Sequence, residues 1–487
     1  QGKLRIHRGK QAWSNDRLFA HLTFVYDGRE IGDEPQPAAL VDVDAGRVVL
    51  RDFDAEHSLV RRLTALGLHT NTWRHASEAE YYLKPQHLVN VVERLTVEGW
   101  QVEAEGYKFR QATASRLSVA SGVDWFDLSG TFEFDGASVD LPTLLAAIRA
   151  GERFVRLGND GRGLIPETWQ KQYQALAATT DGAEGSAVRF PSGQALLLDA
   201  LLAEQPDADV DRKFAACRER LRRIREVGPA EAPAGFVGAL RDYQRAGLGW
   251  LHFLREVGLG GCLADDMGLG KTIQVLALLE DRRTRRRPKG EARAPSLVVA
   301  PKTLVFNWLE EARRFTPNLR VLNLTGLGRE AHWESPAEHD VVLTTYGTLR
   351  RDVVRLKDVR FDYVILDEAQ AVKTADSQAA KACRLLQSDH RLAMTETPIE
   401  NRLAELWSLF EFLNPGLLGR SASFGRLSDG DAEGRALIAR CVAPLMLRRT
   451  KQQVLTELPE KTEQAGYCEL PAKQRRLYDG LRDDDRR

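Results

Sequence analysis

The sequence predicts an α/β fold in the second half of the chain, a parallel sheet flanked by helices, after a first half of mixed α and β structure. Two observations support this prediction. From about residue 236 onwards, short apolar runs typical of buried strands alternate with helix-forming segments. Polar residues suited to phosphate binding and acid–base chemistry follow two of those runs, where the carboxyl ends of parallel strands open onto a site.

The first of these strand ends is a glycine-bearing loop suited to holding a triphosphate. It follows the apolar residues 261–264 and precedes a helix-forming run at 273–280, although Asp265 replaces the first glycine of the strict pattern. Backbone N–H groups at a helix N-terminus face an anion, while Lys271 would bind the β- and γ-phosphates and Thr272 would bind Mg²⁺. The predicted nucleotide-binding residues of the loop are Asp266, Met267, Gly268, Leu269, Gly270, Lys271 and Thr272.

The second strand end carries a pair of acids. The apolar run 361–366 ends in Asp-Glu-Ala-Gln at residues 367–370. Asp367 is predicted to hold Mg²⁺ through water, and Glu368 to orient and deprotonate the attacking water. An exposed acidic pair at a strand end is common, but together with Lys271 upstream it favours ATP hydrolysis.

Further segments surround these two in a fixed order. They occupy residues 240–250, 297–302, 341–347, 391–401 and 444–461. The whole set resembles the Swi2/Snf2 family of helicase-like, DNA-dependent ATPases, in the bacterial type with an N-terminal accessory domain. The resemblance implies a RecA-like first motor lobe, ATP and Mg²⁺ as cofactors, and double-stranded DNA as the partner.

The resemblance also implies roles for single residues. Gln244 would hydrogen-bond the adenine edge. The phosphates of one DNA strand, whose contacts carry little sequence preference, would be bound by Lys302, Thr303, Thr345 and Tyr346. Phe306 and Trp308, close to these, are interpreted as helix packing and not as base-stacking residues. The residues that would couple the γ-phosphate to DNA are Gln370, Thr395, Glu396 and Thr397.

Two positions depart from the family pattern. Glu396 replaces the usual glycine between two threonines, and Gln370 replaces the commoner histidine. A carboxylate near the phosphates and Glu368 would repel like charge, so we expect normal ATP binding with impaired hydrolysis or coupling. The alternative is that Glu396 faces solvent and is tolerated. Gln370 can still donate and accept hydrogen bonds, so we expect its coupling role to survive.

The first half carries no catalytic constellation, and it resembles the accessory domain that precedes the motor in bacterial Snf2-like proteins. Strands are predicted at 18–26 and 124–134, and helices at 88–95 and 139–150. Turn residues predict hairpins over 39–51 and 152–165. The aromatic residues at 125, 126, 132 and 134 are interpreted as core.

The clearest domain boundary is the Gly/Pro/Ala segment at 228–235. We therefore predict an accessory α+β region at 1–205, a charged helix and linker at 206–235, and the ATP-binding lobe at 236–415. A loop and bridge at 416–470, flexible over the Gly/Ser/Asp-rich residues 418–437, would lead to the start of a second lobe at 471–487. Since arginine fingers would come from that second lobe, we expect a fragment that is weakly active alone.

The composition argues against several classes of protein. The 69 basic and 69 acidic residues balance, although net charge does not report local patches. No apolar run is as long as a membrane span and no signal peptide is visible, so we expect a cytoplasmic, nucleoid-associated protein without membrane contact. The five cysteines form no CxxC pair, which predicts reduced thiols and no zinc site. A basic cluster at 282–293 is interpreted as a solvated loop, with a DNA-backbone contact as the alternative.

The sequence is consistent with three functions. The first is an ATP-dependent translocase on double-stranded DNA that remodels nucleoprotein complexes. The second is a motor of the same class that acts on transcription or repair complexes. The third is a nucleotide-gated binding module with little turnover, in which the N-terminal region captures a protein partner.

Overall fold

The computed structural model describes residues 1–8, 17–32, 38–42, 47–70, 81–179, 185–203, 205, 207–284, 294–332, 338–400, 402–429, 432–454 and 471–484. Residues Gln1–Arg448 form one compact unit, and Arg449–Arg487 form a second. Four predicted features lie outside the described residues: the hairpin turn at 44–46, the basic cluster from residue 285 onwards, Asn401 and the bridge segment 458–461. None of the described helices has both the length and the apolar character that a membrane span requires.

The N-terminal part of the first unit is built mainly from strands that pair in antiparallel hairpins. Its strands and helices are β1 (Gly2–Arg8), β2 (Leu18–Tyr26), β3 (Arg29–Gly32), β4 (Ala39–Asp42), β5 (Arg47–Leu50), α1 (Phe53–Ala65), β6 (His69–Thr70), β7 (Tyr81–Leu83), α2 (Leu88–Val97), β8 (Gln101–Ala104), β9 (Tyr107–Arg110), β10 (Ala112–Ser121), β11 (Trp125–Phe134), β12 (Ala137–Asp140), α3 (Leu141–Arg149), β13 (Phe154–Leu157), β14 (Gly161–Leu164), α4 (Glu167–Thr179), β15 (Ala187–Pro191), α5 (Ala195–Leu202), β16 (Asp209–Val210) and α6 (Arg212–Arg222).

These strands form two mixed sheets and a separate hairpin. One sheet has the order β13-β14-β9-β8-β1-β2-β7-β6 with β3 on β2, and the other has the order β12-β11-β10-β16 with β15 on β11. Strands β4 and β5 pair only with each other among the described residues. Alternate residues of β2 are buried, as expected for a strand with one face on the core.

The predicted elements of this part are confirmed, with small shifts at their ends. The strands at 18–26 and 125–134, the helices at 88–97 and 141–149 and the hairpin at 154–164 are present, and the strands β4 and β5 pair as predicted. The aromatic core is confirmed for Phe126, Phe132 and Phe134, which are buried. Trp125 is half-buried, and the Arg189 guanidinium lies over its ring, 4.7 Å from the centroid.

The second part of the first unit alternates strands with helices. Its elements are α7 (Asp242–Val257), β17 (Gly261–Leu263), α8 (Lys271–Thr284), β18 (Ser296–Ala300), α9 (Val305–Phe315), β19 (Val321–Asn323), β20 (Val341–Thr345), α10 (Tyr346–Leu356), β21 (Arg360–Leu366), α11 (Gln378–Arg384), β22 (Gln387–Met394), α12 (Leu403–Leu413), α13 (Ser421–Asp429), α14 (Ala432–Val442) and β23 (Met446–Leu447). The second unit contains α15 (Lys451–Val454) and α16 (Ala472–Asp484).

A parallel sheet organises this part. Its described strands run in the order β19-β20-β18-β21-β22-β17-β23, and every pairing among them is parallel. The central strands are buried almost throughout, because helices cover both faces of such a sheet. The predicted α/β fold, a parallel sheet flanked by helices, is therefore confirmed. Since all strands point the same way, the loops after β17, β18, β20, β21 and β22 meet at one edge.

The prediction of a flexible loop at 418–437 is wrong, because two helices, α13 and α14, occupy most of this segment. Phe424 and Leu427 are buried at a spacing of one helical turn, as are Leu437 and Cys441. Because Gly, Ser and Asp residues lie between these apolar positions, their helical spacing was not recognised from the sequence. The helices pack on α4 and α5 of the N-terminal part, where the Arg426 guanidinium donates to the carbonyl of Ala178 at 3.0 Å.

The predicted linker at 228–235 lies directly against the helices of the second part. The N–H of Ala230 donates to the carbonyl of Arg245 at 2.9 Å. The contact is so close that a Cβ on Gly249 would lie 2.1 Å from the carbonyl oxygen of Gly228. The buried core is also continuous from Leu117 to Leu445, and a separate core contains the buried residues from Leu4 to Ala104. The domain boundaries stay a prediction.

Candidate nucleotide site and nucleic-acid cleft

The phosphate loop leaves β17 and leads directly into α8. Gly268 and Gly270 adopt φ values of 86° and 74°, which L side chains rarely adopt. Lys271, the first residue of α8, donates from Nζ to the backbone carbonyl of Asp265 at 2.7 Å, so its ammonium group is held at the loop. The Asp265 carboxylate is buried and accepts from Nε2 of Gln274 at 3.2 Å. Asp265 therefore replaces the expected glycine as an inward-facing residue that braces the loop against α8.

Gln244 is joined to this loop by its side-chain amide. Its Oε1 accepts from the N–H of Arg241 at 2.9 Å, and its Nε2 donates to the carbonyl of Leu269 at 3.2 Å. The hydroxyl of Tyr243 donates to the same carbonyl at 3.1 Å. A Cβ on Gly270 would lie 2.6 Å from the Gln244 nitrogen, so the glycine is needed for this approach. The contact of Gln244 with adenine stays a prediction.

Asp367 follows β21 and is fixed by two hydrogen bonds to its carboxylate. Its Oδ1 accepts from the N–H of Glu368 at 3.0 Å, and its Oδ2 accepts from Nε1 of Trp308 at 2.8 Å. Burial raises the pKa of Asp367, the bond from Trp308 opposes that rise, and the charge of Glu368 adds to it. The ammonium group of Lys271 also acts on this pKa, so the loop and the acid share one electrostatic environment.

Glu368 has a backbone conformation that is uncommon for its residue type. Its φ and ψ are 48° and 60°, in the left-handed region. The other described non-glycine residues with positive φ are each followed by a glycine with positive φ, as in tight hairpin turns: Asp27, Glu105 and Asp135. Glu368 lies at a strand end instead, where such a conformation costs on the order of 1–3 kcal/mol and is found mainly at functional sites.

Glu311, on α9, is a member of this site that the sequence analysis missed. Burial raises the pKa of Glu311, a hydrogen bond with Thr272 lowers it, and the charge of Asp367 raises it further. Its Oε2 is buried and has no hydrogen-bond partner among the described residues. The signal that could have found it is its spacing from Trp308, since positions three apart share one helix face.

These groups fit Mg²⁺. The ion prefers oxygen ligands and binds through one or two carboxylates together with substrate phosphates and water. The hydroxyl of Thr272 and the carboxylates of Asp367 and Glu311 offer oxygen atoms as ligands. Thr272 and Asp367 both shift the pKa of Glu311, whose buried Oε2 has no partner among the described residues. Larger clusters of His, Cys, Asp and Glu suited to a metal are absent from the described part of the chain.

The predicted DNA-binding residues border a cleft of about 650 Å³ between α9 and α10, with the exception of Thr303. Lys302, Thr345 and Tyr346 line the cleft, whereas Thr303 is exposed beside it on the same short turn. The Thr345 hydroxyl caps α10 by accepting from the N–H of Thr348 at 3.1 Å. The Tyr346 hydroxyl donates to the carbonyl of Asp367 at 2.8 Å, so it points toward the acid.

The packing interpretation is right for Trp308 and wrong for Phe306. Trp308 is 4% exposed, whereas Phe306 is 67% exposed and lines the cleft. Side chains two residues apart on an α-helix point in directions that differ by about 200°. The rings of Phe306 and Trp308 therefore face opposite sides of α9.

The predicted coupling residues form a chain of hydrogen bonds, except for Glu396. The hydroxyl of Thr395 donates to Oε1 of Gln370 at 3.2 Å and accepts from the N–H of Thr397 at 3.2 Å. Lys373, which the sequence analysis missed, extends the chain because its Nζ lies 3.4 Å from the Thr397 hydroxyl. Glu396 is exposed, which favours the solvent-facing alternative. The roles of all these residues stay predictions.

Comparison with known proteins places this site in a family. Residues 243–485 match the model of the SNF2-related domain. The chain is 37% identical over 287 residues to the putative ATP-dependent helicase/translocase YwqA of Bacillus subtilis, a match that covers 56% of this chain and 30% of that protein. It is 40% identical over 263 residues to the TATA-binding protein-associated factor BTAF1 of Arabidopsis thaliana, covering 49% of this chain and 13% of that protein.

Part of this chain also aligns with a solved structure. The SWI2/SNF2 ATPase core of Sulfolobus solfataricus, in complex with double-stranded DNA, is 38% identical with a TM-score of 0.43, and the match covers 51% of this chain and 53% of that one. The chain thus spans less than a third of the B. subtilis relative and about half of the solved core. Through residues 243–485, which carry the phosphate loop and the Asp367–Glu368 pair, this chain belongs to the family of the SNF2-related domain.

Proposed function

We propose that this chain is the ATP-hydrolysing part of a motor that translocates on double-stranded DNA and remodels nucleoprotein complexes. The observation that carries the proposal is the hydrogen bond from the Tyr346 hydroxyl to the carbonyl of Asp367. Tyr346 lines the cleft, and Asp367 is the predicted Mg²⁺ ligand. A residue of the candidate DNA site therefore holds the backbone of the candidate catalytic site.

The hydrolysis step would use the groups at the carboxyl edge of the parallel sheet. Lys271 and the N–H groups at the start of α8 bind the phosphates, and Glu368 orients the attacking water and accepts its proton. Thr272 and Asp367 would hold Mg²⁺, which neutralises charge on the β- and γ-phosphates when bound. Because the backbone of Glu368 is left-handed, its side chain points in a different direction from that of a residue in an extended strand.

Binding to DNA would be through the phosphate backbone. The ammonium group of Lys302 and the N-terminus of α10 are the kinds of group that bind phosphates without reading sequence. Little sequence preference and a steep salt dependence follow from such contacts. The exposed ring of Phe306 would provide an apolar wall of the same cleft.

A second candidate function is a motor that acts on transcription complexes. The supporting observation is the similarity to proteins named TATA-binding protein-associated factors in A. thaliana and in Saccharomyces cerevisiae. In either case the chain spans only part of its relatives. We therefore also propose translocation, dependence of hydrolysis on DNA, weak activity of this part alone, and a cytoplasmic, nucleoid-associated location. A protein partner would bind through the N-terminal sheets.

Displacement of a third DNA strand from a triplex would test translocation. The full-length protein should release the third strand only with ATP, and Lys271→Ala should abolish release while leaving the fold intact. Release from a naked triplex supports a general translocase. A protein that releases only a DNA-bound transcription factor, and no third strand, would favour the second candidate. ATP binding without release of either would leave only a nucleotide-gated binding module.

A further inference from the structure

Helix α9 faces both candidate sites with different residues. Val305, Phe306 and Leu309 line the cleft, and Lys302 on the turn before the helix lines it too. Trp308 and Glu311 lie on another face. Trp308 donates a hydrogen bond to Asp367, and Glu311 lies near Thr272 and Asp367, which both shift its pKa. Helix α9, which is eleven residues long, therefore lines the cleft with one face and presents Trp308 and Glu311 to the predicted Mg²⁺ site with another.

The contact of Trp308 is specific and buried. Its indole N–H donates to Oδ2 of Asp367 at 2.8 Å across 59 positions of the chain. Because an indole nitrogen can only donate, this bond fixes which side of the carboxylate is turned toward α9. The other carboxylate oxygen accepts from the N–H of Glu368, so the orientation of Asp367 is set from two directions.

The contact of Glu311 is of a different kind. The Thr272 hydroxyl lowers the pKa of its carboxylate and the charge of Asp367 raises it, so both groups lie near Glu311. A buried oxygen without a hydrogen-bond partner destabilises the fold, and Oε2 of Glu311 is such an oxygen among the described residues. An oxygen of this kind, beside two Mg²⁺ ligands, is suited to accept a hydrogen bond from a water bound to the ion.

We propose that Trp308 and Glu311 are positioning residues of the Mg²⁺ site, and that α9 transmits the binding of a DNA strand in the cleft to Asp367 and Thr272. The inference rests on the proposed function and deepens it, since it names the element that makes nucleotide binding respond to DNA. Tyr346 provides a second connection, through the carbonyl of Asp367 and not through its carboxylate.

The test uses Glu311→Gln, which keeps the shape of the side chain and removes its charge. Binding of a fluorescent ADP analogue to the full chain is titrated with Mg²⁺, with and without a short double-stranded DNA, and repeated in EDTA. We expect E311Q to raise the Mg²⁺ midpoint about tenfold, the usual effect of losing a group that supports a metal ligand. The affinity in EDTA should be unchanged, and the DNA-induced shift of the midpoint should be lost.

Glu310 provides a matched control on the same helix. Its carboxylate is half-exposed and pairs with Arg313 on the surface, so Glu310→Gln should titrate as the wild type does. Glu311→Asp should restore part of the Mg²⁺ affinity. If E311Q does not fold, Trp308→Phe carries the same expectation, with melting curves as the check on both variants.

The outcomes separate the inference from the function on which it rests. A wild-type chain that binds no ADP analogue would overturn the proposed function. A wild type that binds normally, beside an E311Q variant with the same Mg²⁺ midpoint and the same DNA-induced shift, would overturn the inference alone.

Discussion

The indole of Trp308 donates a hydrogen bond of 2.8 Å to the carboxylate of Asp367, and through it α9 holds the acid that follows β21. The two residues belong to neighbouring strand-loop units, since β18 precedes α9 and pairs in parallel with β21. The bond therefore exists because the parallel sheet brings the ends of these strands together. Its consequence is that the geometry of the acid depends on a helix that also borders the cleft.

Loss of this bond should affect the rate of hydrolysis more than the binding of nucleotide. Trp308→Phe keeps most of the packing and removes a hydrogen bond to a charged group, worth about 1.5–3 kcal/mol. We expect kcat for ATP hydrolysis to fall about tenfold or more, with the dissociation constant for ATP within about twofold of the wild type. Steady-state kinetics and a binding titration measure the two quantities separately.

Trp407 is the control for this substitution. Its indole N–H donates to the carbonyl of Gly419 at 3.0 Å, in contact with neither predicted Mg²⁺ ligand. Trp407→Phe should change stability and leave kcat unchanged. Equal losses of kcat in the two variants would mean that Trp308 acts through stability alone.

Glu396 is exposed, so removing its charge should have little effect. With Glu396 in place, Thr395 still bonds both Gln370 and the N–H of Thr397. We therefore expect Glu396→Gly to leave the affinity for ATP and the rate of hydrolysis within about twofold, because an exposed charge is screened by water and salt. A tenfold rise in rate would instead support repulsion between Glu396 and the phosphates.

A buried ion pair in the N-terminal part should make stability depend on pH. Arg51 and Glu56, whose side chains are 3% and 7% exposed, form a bidentate pair at 2.8 and 3.0 Å, and the Tyr26 hydroxyl also donates to Glu56 at 2.8 Å. Burial raises the pKa of Glu56, but the bonds from Arg51 and Tyr26 outweigh it, so this pKa is lowered from 4.5. The stabilisation is complete above the unfolded-state pKa and is lost as the pH falls through the folded-state pKa.

Glu56→Gln should therefore lower the free energy of unfolding by about 3 kcal/mol near neutral pH, since it removes the negative charge that pairs with the buried Arg51 guanidinium. The difference from the wild type should shrink as the solution is acidified. Urea unfolding at a neutral and an acidic pH measures both effects. Glu167→Gln is the control, because its pair with Lys171 is exposed to solvent and should contribute little to stability. A difference that stays constant with pH would contradict the assignment of the ion pair.

Most of the fold and the main acids could be predicted from the sequence, because the patterns that indicate them are local. Buried apolar runs predicted the parallel strands, and loop chemistry predicted Lys271 and Asp367. Trp308 and Glu311 were missed as members of the site because their partners are distant in sequence and a single helix period does not reveal them. The helices α13 and α14 were missed because composition was given more weight than the spacing of Phe424 and Leu427.

The packing of residues 228–235 illustrates a further limit. Glycine and proline there correctly indicated irregular backbone, but the same small residues also permit close approach, as between Gly228 and Gly249. A linker and a packed segment have the same composition. Only the position of α7 decides between them, and that position is set by tertiary contacts.

The measurement that tests the central claim most directly is the steady-state ATPase rate of the full-length protein with and without double-stranded DNA, with Lys271→Ala as the blank. We predict strong stimulation by DNA in the wild type, reduced by added salt because the contacts are to phosphates, and no activity in the blank. A rate that DNA does not change, despite measurable binding of ATP, would contradict a DNA-dependent motor and favour a nucleotide-gated binding module.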